Sequence, residues 1–129
     1  MNISPRGIGG PTSILALTMG EPAGVGGELT LKAWHRRKEL PLPFVALDNA
    51  ERLIQLAGKL GIPTPIKRVG SPMQAVEVFH SSLPVLDIPL AEPCVAGQLT
   101  SANAVSVINS IDLAVSHALA GRVSGVVTI

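Results

Sequence analysis

The chain has 129 residues, which suits one domain or part of a larger one. A net charge of +1, with one Trp, two Phe and no Tyr, excludes a basic or aromatic surface for nucleic acid and gives no electrostatic basis for membrane binding. Hydrophobic residues make up 47% and charged residues 15%, against about 25% charged in a typical domain, so we expect further chain or a partner subunit to cover part of the surface.

The compartment is indicated by the single cysteine and by the N-terminus. Cys94 cannot form an internal disulfide and has no base nearby in sequence, so we expect an inert buried thiol in a cytoplasmic protein. Residues 1–12 are rich in Gly and Pro and lack a signal-peptide core, and we expect a flexible leader there. No apolar run approaches the roughly 20 residues of a membrane span.

Short apolar runs alternate with helical patterns from residue 13 onwards. The apolar runs predict strands at Ser13–Thr18, Phe44–Leu47, Ile66–Val69, Leu83–Ile88 and Gly125–Ile129. Helical spacing predicts helices over about Gly27–Arg37, Asn49–Leu60, Ser71–Phe79 and Thr100–Ala120. This alternation predicts an α/β fold with a largely parallel sheet and flanking helices. A buried strand at the very end of the chain indicates truncation.

Side-chain patterns within these elements predict caps, stops and buried faces. Asn49 is a good N-cap, Gly61 is a typical helix stop, and Pro84 moves its strand towards a sheet edge. Helical spacing of apolar residues predicts the buried face of each helix. In the first helix this face consists of Leu29, Ala33 and Trp34, and in the second of Leu53, Ile54, Ala57 and Leu60. In the longest helix, for which Thr100 or Ser101 is the predicted N-cap, it consists of Ala104, Val105, Ile108, Ile111, Val115, Ala118 and Leu119.

The glycine loop, residues 20–27, joins the first strand to the first helix. A helix N-terminus at the carboxyl end of a strand directs N–H groups and a positive dipole end towards a ligand, although a tight turn that needs glycine for geometry alone is an equal alternative. A P-loop is excluded, because no Gly-Lys-Ser/Thr occurs. A Rossmann fingerprint is a minor rival: Gly24, Gly26 and the acid Asp48 fit it, but Leu29 occupies its third glycine position.

The loop sequence carries a specific family resemblance. Met19 to Gly26 (MGEPAGVG), followed by Glu28, resembles the opening motif of the 4-hydroxythreonine-4-phosphate dehydrogenase family. A weaker second block agrees, comprising Ala96–Gly97–Gln98, Asn103 and the segment from Ala118 to Thr128. Gly27 is a departure, since the family usually has proline there.

The resemblance implies an NAD-dependent enzyme that oxidises 4-phosphooxy-threonine, with decarboxylation, in the synthesis of pyridoxine 5'-phosphate. It implies the two-domain fold of the isocitrate and isopropylmalate dehydrogenases, a homodimer, and a divalent metal, commonly zinc, held by histidines of both subunits. The implied cofactor-binding residues are Gly20, Glu21, Pro22, Ala23, Gly24, Val25 and Gly26.

The resemblance also implies what the chain lacks. After the Val-Thr that ends at Thr128, the family continues with a Pro-x-x-Lys segment, a substrate-binding Gly-His-Thr segment and the metal histidines. We therefore expect residues 13–129 to be the N-terminal α/β portion, truncated before the metal and substrate segments, without catalytic residues or metal ligands of its own and inactive alone.

Other functions remain open. Relatives of this family act on other substrates, including dihydrodiols of aromatic acids. A non-catalytic nucleotide-binding or phosphate-binding module and a purely structural α/β domain are further alternatives. The intact gene would discriminate between them, because a Pro-x-x-Lys segment and downstream histidines would indicate the enzyme.

The remaining polar residues of interest have plain structural interpretations. His35, His80 and His117 are not at metal-ligand spacing and are predicted to be surface cations. Asp48 is expected to end a strand or cap a helix, and Asp112 to reach the surface or a hydrogen-bond partner. Glu21 either faces the cleft or is solvated.

Overall fold

The computed structural model of the chain describes residues 13–20, 24–90 and 103–129. Within them, strands and helices alternate in the predicted order. The elements are β1 (Leu15–Thr18), α1 (Gly26–His35), a 3-10 turn (Arg37–Glu39), β2 (Phe44–Asp48), α2 (Ala50–Leu60), β3 (Ile66–Arg68), α3 (Pro72–Val78), β4 (Leu83–Asp87), α4 (Ala104–Leu119) and β5 (Gly125–Val127).

Several predictions concern residues outside the described ranges. They are the flexible leader at 1–12, the loop residues Glu21, Pro22 and Ala23, the thiol of Cys94, the block Ala96–Gly97–Gln98, and the helix caps Thr100 and Ser101.

The described strands form one parallel sheet in the order β3-β4-β2-β1-β5. β2 lies at its centre and is buried along its whole length. Because all strands run the same way, their carboxyl ends meet at one edge of the sheet, and the loops that can carry function leave from that edge. The predicted α/β fold with a largely parallel sheet is confirmed.

Helices cover both faces of the sheet. Val45 and Leu47 of β2 face one core, which includes residues of α3 and α4. Phe44 and Ala46 face the other, which includes residues of α1 and α2. This alternation along one strand is what a two-sided, three-layer α/β arrangement requires.

The edge position predicted from Pro84 is wrong, since β4 lies between β3 and β2. Pairing of β4 with β2 begins at Val85, whereas Pro84 is paired with Lys67 of β3. N–H groups of a parallel strand alternate between its two neighbours. The nitrogen of Pro84 therefore faces β2 where that ladder has not begun, and no strand-pairing hydrogen bond is lost.

The inward face of α1 differs from the prediction at Leu29, which is 51% exposed. Trp34 is buried and Ala33 is half-buried against the core, as predicted, while Leu31 and Thr30 are buried in place of Leu29. The indole Nε1 of Trp34 donates to the backbone carbonyl of Phe79, 2.8 Å away, which fixes the orientation of the helix. On the solvent side of the helix, Nζ of Lys32 lies 2.6 Å from a carboxylate oxygen of Glu28, an i,i+4 ion pair.

The limits of α2 agree with the prediction, but its buried face is narrower. Leu53 and Ala57 are buried, while Ile54 and Leu60 are exposed. The helix ends at Gly61, which adopts a left-handed conformation with φ of 67°. Glycine reaches that conformation without steric penalty, which explains the stop.

The buried face predicted for α4 is wrong, because the large apolar side chains point outwards. Ser106, Ser110 and Ala114 are buried against the sheet, and of the predicted face only Ala118 packs against the core. Small side chains allow the helix to lie close to the strands. The outward apolar surface, named here the α4 surface, has side chains 38–85% exposed and consists of Val105, Ile108, Ile111, Leu113, Val115 and Leu119.

Candidate functional site

The strand order reverses at β1, and the glycine loop leaves the sheet edge at that point. β2, β4 and β3 lie on one side of β1, and β5 lies on the other. Gly20 follows the carboxyl end of β1, and α1 begins at Gly26. Open α/β sheets bind ligands at the carboxyl edge where the strand order reverses. The predicted position at this edge is confirmed for the described residues of the loop, Gly20 and 24–27.

Two glycines of the loop are explained by close packing. A Cβ atom on Gly20 would lie 3.2 Å from the carbonyl oxygen of Ile129, just beyond β5. A Cβ atom on Gly26 would lie 3.3 Å from Cγ2 of Ile129 and 3.4 Å from the backbone nitrogen of Gly20. A side chain at either position would require the neighbouring atoms to shift by a few tenths of an ångström, so close packing favours glycine at both, in accordance with the structural alternative.

Gly24 and Val25 are the exposed part of the described loop. Val25 is 70% exposed and is the N-cap residue of α1, where its side chain makes no capping hydrogen bond. We expect the backbone N–H groups from Val25 to Glu28, at the start of α1, to be open to a ligand. Gly26 and Gly27 are buried and Glu28 is half-buried, so only Val25 and Glu28 of these four residues reach the surface. An uncapped helix start with exposed neighbouring backbone can bind an anionic group.

The start of α2 lies at the same sheet edge but is capped by the chain itself. The side-chain oxygen of Asn49 accepts a hydrogen bond from the N–H of Arg52 at 2.8 Å, as predicted for an N-cap. A carboxylate oxygen of Asp87 accepts one from the N–H of Ala50 at 2.8 Å. The carboxylate of Asp87 thus already occupies the position that an anionic ligand would take at the start of α2. The uncapped start of α1 is therefore the better site for an anionic ligand.

Asp48, the predicted strand end, is part of a buried ion pair that the sequence analysis missed. Nη2 of Arg52 donates to both carboxylate oxygens of Asp48 at 2.8 Å, and the two side chains are 7% and 2% exposed. Burial raises the pKa of Asp48, the Arg52 guanidinium opposes that rise, and the neighbouring Asp87 adds to it. Asp48 is therefore not available to bind a ribose as a Rossmann acid does. The i,i+4 spacing of Asp48 and Arg52 was the available sequence signal.

Arg52 also accounts for the unusual Gly27. A Cβ atom on Gly27 would lie 2.6 Å from Nη1 of Arg52 and 2.8 Å from Cδ2 of Leu56. Any larger side chain would meet the guanidinium, so glycine at this position and arginine at 52 fit together.

Ser110 of α4 is hydrogen-bonded to the residue that precedes the glycine loop. Its hydroxyl accepts a hydrogen bond from the N–H of Met19 at 3.0 Å and donates one to the carbonyl of Leu47 at 2.7 Å. The side chain is fully buried, and Met19 immediately precedes the loop. The sequence analysis missed this residue because the buried face predicted for α4 contained only apolar residues.

The three histidines lie apart. Nε2 of His35 is 2.9 Å from the hydroxyl of Thr64, and His80 is exposed. Nδ1 of His117 accepts a hydrogen bond from Nε of Arg122 at 2.7 Å, and partial burial followed by the Arg122 charge lowers the pKa of His117. Both the hydrogen bond and the lowered pKa favour the neutral form of His117 over the predicted surface cation. Asp112 is exposed on α4, as one of its two predicted outcomes allowed.

Residues 13–20, 24–90 and 103–129 contain no group of three or more His, Cys, Asp or Glu side chains that could hold a metal ion. Over the same ranges, no helix has the length and apolar character needed to cross a membrane.

Comparison with known proteins identifies relatives of the chain. No protein-family model matches it. A curated 4-hydroxythreonine-4-phosphate dehydrogenase from Caulobacter vibrioides is 39% identical over 114 residues. The match covers 88% of this chain and 33% of the relative, so the chain spans about a third of the length of the curated relatives it matches.

Solved structures agree with the fold. The crystal structure of a 4-hydroxythreonine-4-phosphate dehydrogenase from Klebsiella pneumoniae matches with a TM-score of 0.78 and 24% identity, covering 91% of this chain and 37% of that one. A terephthalate 1,2-cis-dihydrodiol dehydrogenase from Burkholderia xenovorans matches with a TM-score of 0.66 and 23% identity, covering 88% and 32%. The sequence and fold comparisons together confirm the resemblance found in the glycine loop: the chain is a relative of the 4-hydroxythreonine-4-phosphate dehydrogenases over about a third of their length.

Proposed function

We propose that the complete polypeptide carrying this segment is an NAD-dependent dehydrogenase that oxidises 4-phosphooxy-threonine, with decarboxylation, in the synthesis of pyridoxine 5'-phosphate. The observation that carries the proposal is the uncapped start of α1 beside the exposed Gly24 and Val25, at the point where the strand order reverses. The name shared by the curated relatives supports the substrate.

The role proposed for this segment is to bind and orient the cofactor. Backbone N–H groups near Gly24 and Val25 receive an anionic part of NAD, such as its diphosphate, and the dipole of α1 favours the negative charge. Gly20 and Gly26 keep the loop close to the end of β5. Glu21, Pro22 and Ala23 complete the proposed cofactor-binding set. NAD, when bound, supplies the hydride acceptor.

The metal, commonly zinc, is proposed to be held by histidines that lie outside this segment. His35 and His117 are hydrogen-bonded to Thr64 and Arg122, and the described residues contain no suitable group of ligands. We therefore derive no metal-dependent step from the residues of this segment.

The proposed assembly is a cytoplasmic homodimer. The α4 surface supports the need for a covering polypeptide, because large exposed apolar side chains gathered on one helix are typical of contact surfaces. The single cysteine is compatible with a reducing compartment.

An alternative substrate is a dihydrodiol of an aromatic acid. The similarity of fold to the terephthalate dihydrodiol dehydrogenase favours its inclusion. A non-catalytic nucleotide-binding module is the alternative outside the enzyme class.

The test is to assay the complete polypeptide for NADH formation with 4-phosphooxy-L-threonine and, separately, with a terephthalate dihydrodiol. Turnover of the first substrate alone supports the proposal. Turnover of the second alone reassigns the substrate within the dehydrogenase class. Saturable NAD⁺ binding without turnover of either substrate would support the non-catalytic module.

A further inference from the structure

The guanidinium of Arg52 and the side chain of Leu56 lie between the first turn of α1 and the helix α2. Arg52 lies in the first turn of α2 and is 8% exposed. A Cβ atom placed on Gly27 would lie 2.6 Å from Nη1 of Arg52 and 3.3 Å from its Cζ. The first turn of α1 therefore rests directly on the guanidinium.

The guanidinium is itself held in place by the central strand. Nη2 donates to both carboxylate oxygens of Asp48, each at 2.8 Å, and Asp48 ends β2. Oδ1 of Asp48 also accepts from the N–H of Asn49 at 2.6 Å. A planar guanidinium held by a carboxylate has a defined orientation, which a flexible ammonium group lacks.

We propose that Arg52 is a positioning residue for the cofactor loop: held by Asp48, its guanidinium sets the place of the first turn of α1, and with it the backbone of Gly24 and Val25. The inference rests on the proposed function, because the consequence for ligand binding requires the loop to receive the cofactor. The placement of α1 by Arg52 is a separate and independently measurable consequence.

Lysine at position 52 separates the two roles of the arginine. Arg52→Lys retains a positive charge for Asp48 but has no second planar nitrogen to lie against Gly27. We expect the variant to remain folded while the support beneath α1 is lost. Arg36→Lys is the matched control, because Arg36 forms an exposed two-bond pair with Glu39 just after the end of α1.

The experiment measures amide hydrogen exchange by NMR at Leu29, Thr30 and Leu31, whose N–H groups bond back to the first turn of α1, in the wild-type 129-residue chain and both variants. NAD⁺ affinity is measured by calorimetry on the complete polypeptide with the same substitutions. In Arg52→Lys we expect exchange at these amides to rise by about tenfold, and any NAD⁺ affinity of the wild type to fall by about tenfold. Exchange in the core strand β2 should remain unchanged, as should both readouts in Arg36→Lys.

Unchanged exchange at all three amides in Arg52→Lys would overturn the inference, whatever the NAD⁺ result. If the wild type binds no NAD⁺ but exchange rises as expected, the proposed function fails and the positioning of α1 by Arg52 stands. Gly27→Ala disturbs the same contact between Gly27 and the Arg52 guanidinium by adding a Cβ atom to α1. This variant tests the inference if Arg52→Lys does not fold. It should also raise exchange at Leu29 and Thr30, and unchanged exchange there would equally overturn the inference.

Discussion

The hydroxyl of Ser110 accepts a hydrogen bond from the N–H of Met19 across 91 positions of sequence, at a distance of 3.0 Å. It also donates to the carbonyl of Leu47, so one side chain of α4 joins the carboxyl ends of β1 and β2. Because Met19 also donates to Leu47 at 3.1 Å, its N–H keeps a partner if the hydroxyl is removed.

Ser110→Ala should therefore lower the free energy of unfolding by a modest amount, about 1 kcal/mol for the lost hydrogen bonds. Urea denaturation measures the change. Ser116→Ala is the matched control, because Ser116 is exposed on the same helix and reports the gain from alanine's helix propensity. Equal effects of the two substitutions would show that the Ser110 bonds contribute nothing.

Loss of Arg52 should destabilise the protein more at neutral pH than at acidic pH. In Arg52→Met, Asp48 loses the guanidinium that opposes its raised pKa, and the nearby Asp87 remains, so the pKa of Asp48 rises further above its ordinary 3.8. Between the unfolded and folded pKa values the native state binds more protons than the unfolded state. Stability therefore falls as pH rises through that window. We expect a loss of about 3–5 kcal/mol at neutral pH.

Urea denaturation from pH 8 down to about pH 5 measures this loss, which should shrink as the pH falls. The double variant Asp48→Asn, Arg52→Met removes the titrating group and should show a loss that does not vary with pH. A loss in Arg52→Met that is the same at every pH would contradict the charged state assigned to the pair.

Exposed side chains of α4 should drive self-association of the 129-residue chain. Ile108 is 56% exposed and Leu119 is 85% exposed, and both belong to the α4 surface. Replacing them together by serine should shift the chain towards monomer in sedimentation velocity, because apolar contact area is lost. Val25→Ser, which removes an exposed apolar residue elsewhere, should leave the distribution unchanged. A wild-type chain that is already monomeric at high concentration would refute the prediction.

Local signals in the sequence predicted much of the fold. Asn49 and Gly61 set the ends of α2 through interactions within a few residues, and both act as predicted. The face of α4 could not be found in this way, since the usual rule buries large apolar side chains. Here Ser106 and Ser110 face the sheet, and their hydroxyls bond to backbone carbonyls of Pro89 and Leu47, remote in sequence.

The sequence predicted where the candidate site lies, but not the packing contacts that hold the glycine loop in place. The motif from Gly20 to Gly26 indicated a loop at the sheet edge, yet only coordinates separate glycines needed for packing from glycines left exposed. Gly20 and Gly26 pack against Ile129, more than 100 positions later, and no local pattern contains that contact. Gly27 and Arg52 likewise meet only because α1 and α2 lie side by side on one face.

The central claim, that the exposed part of the glycine loop binds NAD, is tested by comparing Gly24→Val with Gly26→Ala. Gly24 is exposed, so valine there should obstruct the cofactor and weaken NAD⁺ affinity by about tenfold or more, with little change in melting temperature. Gly26→Ala should mainly lower the melting temperature, because its Cβ would approach Ile129 and Gly20.

The decisive measurement is the NAD⁺ affinity of folded Gly24→Val, determined by calorimetry on the complete polypeptide alongside its melting temperature. The account predicts a clear loss of affinity at a nearly unchanged melting temperature. A lowered melting temperature with unchanged affinity of the folded protein would contradict it, and would make the loop a structural turn.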